Sequence, residues 1–145
     1  MTAPSSPGPI ADALGRLLGQ AKPRGVVAVY LFGSHAEHRA HRQSDVDVAV
    51  LLDPHVYAGA EARFQERVRL SAWLVGELKT NLVDVVILND APPTLARRIV
   101  TTGRRVYCVD LDAAHAFVRD VQLRAADLEP FLRRTRRLKL ASIAR

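Results

Sequence analysis

The chain has 145 residues, 48% hydrophobic and 25% charged, with one cysteine, which suits a single domain with a sizeable core and leaves no internal disulfide. Its apolar runs, such as Val26 to Phe32, are far too short to span a bilayer. The net charge of +6 is a C-terminal property: residues 119–145 carry eight basic against three acidic side chains, the first 118 thirteen against twelve.

Residues 1–8 are rich in Pro and Ser and lack the basic-then-apolar order of a secretory signal, so a disordered lead-in is expected. With Cys108 the lone thiol, the cytoplasm is the simple compartment. Pro9 to Lys22 reads as a helix, with Pro in its first turn and Ile10, Leu14, Leu17, Leu18 and Ala21 as one apolar stripe. "VVAVYLF" is a buried strand. Gly33-Ser34 turns the chain, and His35 to Ala40 suits a short helix. "DVDVAVLL" is a second strand, ended by Asp53-Pro54. Ala60 to Lys79 forms a long helix, whose expected inner face is Phe64, Val68, Ala72 and Val75, widened by Leu74 and Leu78. "LVDVVIL" is a third strand. Thr94 to Thr102 is a short helix capped by Gly103, and "RRVYCVD" a fourth strand. From Asp112 the chain is helical, with Pro130 expected to kink or break it. This order predicts an α/β (α+β) protein, helices packed on a small sheet.

Asp45 and Asp47 stand where an apolar strand begins. Strand alternation puts them on one face, with Val46 on the other. Asp84 interrupts the third strand in the same way, so three carboxylates could converge. Bare, they would repel and be driven toward protonation. A divalent ion such as Mg²⁺ resolves that conflict, because it takes carboxylates and substrate phosphates together. Each Asp alone is most often a turn former or cap. The element upstream tips the balance. Gly33-Ser34 closes a buried strand and opens a helix, where free backbone N–H groups and the helix dipole suit an anion. Glycine lets a phosphate approach the backbone, and the Ser34 hydroxyl can donate to it.

"FGS", ten residues and "DVD" resemble the nucleotidyltransferase domain of the DNA polymerase beta superfamily, and within it the minimal nucleotidyltransferases. "LVDVVILNDAPPTLARRIVTTGRRVYCVD" resembles the second half of those proteins, so the likeness runs roughly from Ile10 to Asp110. It implies the polymerase beta-like fold, a small mixed sheet flanked by helices, in a core at residues 9–110, followed by a basic helical extension at 111–145. It also implies that Gly33 and Ser34 bind the triphosphate of ATP, and that Asp45 and Asp47 ligate two Mg²⁺ ions. Asp84 would bind the catalytic ion and help deprotonate the attacking hydroxyl. One departure stands out: where the family often has "GS-x-ARG", this chain reads "GSHAEH", with Glu37 and His38 replacing Arg-Gly.

His35, His38 and His41 lack the spacing of a recognised zinc motif and read as an exposed polar face. Trp73 reads as core rather than a base-stacking platform. Arg97, Arg98, Arg104 and Arg105 could meet phosphates, although exposed element ends account for them. The chain leaves little room for a dedicated acceptor domain, which favours a protein acceptor supplied in trans. Minimal nucleotidyltransferases are often paired with HEPN-type ribonuclease toxins, and some act as antitoxins by adding AMP to a toxin tyrosine. The resemblance thus implies a Mg²⁺-dependent transferase with a HEPN toxin as partner. Two rivals stand beside it: an antitoxin that works by stoichiometric binding, its catalytic site weakened, and a small-molecule transferase of the aminoglycoside-modifying kind. The basic C-terminus reads as a solvated helix face or, where it has a function, as a docking segment ahead of a nucleic-acid contact.

Overall fold

The computed structural model describes residues 8–33, 45–80 and 82–143. The lead-in, Ser34, the short helix at 35–40, Glu37 and the His35/His38/His41 series lie outside the described residues. Helix α1 spans Pro9–Ala21 and ends on Lys22 in the left-handed conformation. Strand β1 (Val26–Phe32) follows, then β2 (Val46–Leu52), α2 (Ala60–Leu78), β3 (Val83–Ile87), a 3-10 turn (Leu88–Asp90), α3 (Pro93–Thr102), β4 (Arg104–Cys108) and α4 (Leu111–Ile143). The four strands form one mixed sheet in the order β3-β2-β1-β4. β1 is antiparallel to β2 and to β4, and β2 is parallel to β3. Parallel neighbours need a crossover, which α2 supplies. Helices covering both faces explain why β1 and β2 are apolar almost throughout.

Alternation along the strands sorts the core into two layers. Val46, Val48, Val50 and Leu52 of β2 join Leu14, Leu18, Leu70 and Leu74 on the α1/α2 face. Ala49 and Leu51 join Tyr30, Ala96, Ile99, Ala114 and Val121 on the α3/α4 face. The Asn89 side chain prolongs the ladder past β3, its Oδ1 accepting from Leu52 N at 2.9 Å and its Nδ2 donating to Leu52 O at 2.8 Å. Arg63 clamps α2 to the 3-10 turn through a two-pronged bond to Asp90, 2.9 and 2.8 Å.

Two expectations are corrected. The buried face of α2 is Glu66, Leu70 and Leu74, whereas Phe64 and Val68 are 59% and 54% exposed. A carboxylate at an inward position misleads any reading of the helix by apolar spacing. Secondly, of the kink or break expected at Pro130, the break does not occur: α4 continues through it to Ile143. Proline removes one backbone donor, but Ala126 and Pro130 are exposed, so water can reach the carbonyl left without its partner. No described helix is long and apolar enough to cross a membrane.

Candidate active site

The end of β1 and the starts of β2 and β3 meet at one edge of the sheet. Phe32 is in register with Asp47, and Asp47 in turn with Asp84. Asp47 lies between Val46 and Val48, and Asp84 between Val83 and Val85, all four buried on the α1/α2 side. Both aspartates therefore face the α3/α4 side as in-register neighbours. Asp45 stands one residue before β2 and is exposed.

Gly33 joins the carboxylates to the turn. Its φ is +73°, a conformation that side chains other than glycine rarely adopt. A Cβ built there would lie 2.3 Å from Asp47 Oδ2, so only glycine lets the turn close against that carboxylate. Two halves of the sequence motif, separated by an insert, are thereby brought into contact. On the far side of Gly33 a cavity of 180 Å³ is lined by Phe32, Gly33, Leu95, Arg98, Ile99 and Thr102. Arg98 is the one cationic residue among the described residues of this lining. The sequence offered Arg98 only as one of four arginines able to meet phosphate, because α3 reaches the site through folding, 65 residues after Gly33.

Arg67 of α2 approaches Asp84 at 3.9 Å, with both side chains about half exposed. This cation offsets part of the charge that the site concentrates. Among the described residues no three His, Cys, Asp or Glu side chains form a ready-made metal cage. The donors nevertheless suit Mg²⁺. They are hard carboxylate oxygens at an open edge, and Mg²⁺ commonly takes one or two carboxylates, completing its shell with substrate phosphates and water.

Residues 19–112 match the model of the family described as Polymerase beta, Nucleotidyltransferase. The chain is 32% identical over 84 residues to the protein adenylyltransferase MntA of Shewanella oneidensis, a stretch covering 58% of this chain and 55% of that protein. It thus spans about half the length of the curated relative it matches. A solved toxin–antitoxin structure with AMP-PNP aligns at a TM-score of 0.65 and 24% identity, over 93% of this chain and 98% of that one. A tri-AMPylated Shewanella oneidensis HEPN toxin in complex with its MNT antitoxin gives 0.59 and 21%, over 93% and 96%. At these identities the structural likeness is one of fold.

Proposed function

We propose that this chain, which belongs to the polymerase beta nucleotidyltransferase family, is a Mg²⁺-dependent protein adenylyltransferase that moves AMP from ATP to a hydroxyl, a tyrosine, of a HEPN-type toxin and so acts as its antitoxin in the cytoplasm. The observation that carries the chemistry is the contact of the Gly33 turn with the Asp47 carboxylate. It places a backbone suited to phosphate against a carboxylate suited to metal. The similarity to the Shewanella adenylyltransferase supports the acceptor class.

In this reading Gly33 and Ser34 take the triphosphate at the end of β1, and Arg98 contributes a cation from α3. Arg98 stands in for the arginine that the "GSHAEH" segment lacks. Asp45, Asp47 and Asp84 would hold the Mg²⁺, whose chemistry when bound is to neutralise charge on the attacking and leaving oxygens. The acceptor oxygen bonds to the α-phosphorus, and the bond from that phosphorus to pyrophosphate breaks. The hydroxyl proton passes to a carboxylate at the mouth of the site, a role the family likeness gives to Asp84. Positioning and charge neutralisation supply most of the rate.

The test is direct. The full chain is incubated with Mg²⁺, α-labelled ATP and the toxin encoded beside it, and the label is followed. Label on the toxin tyrosine supports the reading, and a toxin that stays unlabelled while still bound refutes it. The Arg67–Asp84 contact favours one alternative, an antitoxin that inhibits by binding alone with its third carboxylate held by a cation. Asp47→Asn separates the two. It should keep toxin binding and lose protection if transfer neutralises the toxin, and keep both if binding alone suffices.

A further inference from the structure

At the start of β1, the opposite end from Gly33, a cavity of 470 Å³ opens between the α1–β1 connection and α2. Lys22 and Arg24 line one side, and Tyr57, Arg69 and Trp73 the other. We infer that this cavity binds a nucleotide unit, its base against the Trp73 and Tyr57 rings and its phosphate against Lys22, Arg24 and Arg69.

The lining has the two components that nucleotides require, aromatic faces for a base and cations for a phosphate. The site is also built rather than incidental. Glu66, 5% exposed, accepts from Arg69 Nε and Nη2, which fixes the guanidinium while leaving Nη1 to donate outward. The Tyr57 hydroxyl lies 2.9 Å from Glu66 Oε2 and 2.8 Å from the Arg24 carbonyl. Burial, with the hydrogen bond and charge of Glu66, pushes this hydroxyl up from its ordinary value, so it remains protonated. Its ring packs against Gly25, where a Cβ would lie 2.5 Å from Tyr57 Cε2. Trp73 packs partly against the α1/α2 core, so its ring is anchored as well as accessible. None of the described residues lining the cavity is acidic, the Glu66 carboxylate behind it is engaged by Arg69, and Lys22 and Arg24 are exposed, so the mouth is cationic. A strand of this length puts the cavity about 20 Å from Gly33, too far for one nucleotide to occupy both. The nucleotide could be free or one residue of a single-stranded RNA.

Trp73 is the only tryptophan, so its emission reports on this cavity. The full-length Asp47→Asn protein, without divalent metal, is titrated separately with AMP and with a uridine hexanucleotide. Saturable quenching by AMP identifies a mononucleotide site, and quenching by the hexamer alone a strand site. Either supports the inference. Adding Lys22→Glu and Arg24→Glu, both at exposed positions, should weaken the effect roughly tenfold with an unchanged circular dichroism spectrum. The inference is overturned if neither ligand quenches saturably or if the charge-reversed protein titrates like its parent. Equal quenching by a glutamate hexapeptide also overturns it, since the cavity would then read charge alone.

Discussion

Gly33 and Asp47 test whether the turn and the carboxylate act as one unit. Gly33→Ala forces a side chain into a left-handed backbone and against Asp47 Oδ2. The strain should cost roughly 1–3 kcal/mol of stability, read as a lower melting temperature, and the displaced carboxylate should depress transfer. Asp47→Asn should lower transfer by about 10³ or more while the fold persists. If both act through the same carboxylate, the double variant loses much less than the product of the two single effects. Independent losses would show that Gly33 serves only the backbone. Arg98→Gln should raise KM for ATP about tenfold with little change in kcat, the pattern of lost ground-state binding. An unchanged KM would remove Arg98 from the phosphate site. The shared face of Asp47 and Asp84 was legible in the sequence because alternation in a strand is a local rule and both strands carry the same anomaly. Arg98 was legible only as one of four candidate arginines and Arg67 not at all, since their placement comes from through-space neighbours that no spacing encodes.

Helix α2 shows where pattern reading fails at the scale of an element. Its length and type follow from its composition, but its rotation does not, because Glu66 takes an inward position that Phe64 and Val68 seemed to claim. Burial acts to raise the Glu66 carboxyl, yet the hydrogen bonds from Arg69 and Tyr57 and the charge of Arg69 hold it below its ordinary value. A carboxyl depressed in the folded state contributes stability that is present above the ordinary glutamate range, about pH 4.3. That contribution is lost as pH falls through the folded value. Glu66→Gln should therefore be less stable than the parent at neutral pH, and the gap in melting temperature should narrow on acidification below about pH 4. A gap independent of pH would mean that Glu66 matters through shape alone. The strand ends were legible to within a residue or two because Asp53-Pro54 and Gly33 interrupt the apolar runs. The 3-10 turn at Leu88–Asp90 was not, since Leu88 continues the apolar run of β3.

Across the whole molecule, α4 divides into two parts with different physics. Ala114, Val121 and Ala125 are buried in the domain, so the first part belongs to the α3/α4 layer. Beyond Ala125 the helix continues to Ile143, roughly 27 Å at 1.5 Å per residue, and Arg133, Arg134 and Thr135 are exposed. Residues 133–145 hold six basic side chains and no acidic one. Such a charge run creates a positive field that can speed and orient encounter with an acidic surface. Deleting residues 133–145 should leave the melting temperature nearly unchanged, because Ala114, Val121 and Ala125, the α4 residues buried among those described, precede the cut. The truncated protein should bind the proposed toxin partner more weakly, and raising salt from 50 to 300 mM, which screens exposed charges strongly, should weaken its complex less than the parent's. Transfer at saturating toxin should persist, since Asp47 and Asp84 lie on the sheet and Gly33 directly follows β1, none of them in the extension. Isothermal titration of both proteins across that salt series decides the matter: equal affinities and equal salt slopes would deny the segment any part in docking, whereas a lost slope with transfer retained would place toxin recognition on the end of α4 and the chemistry on the sheet edge.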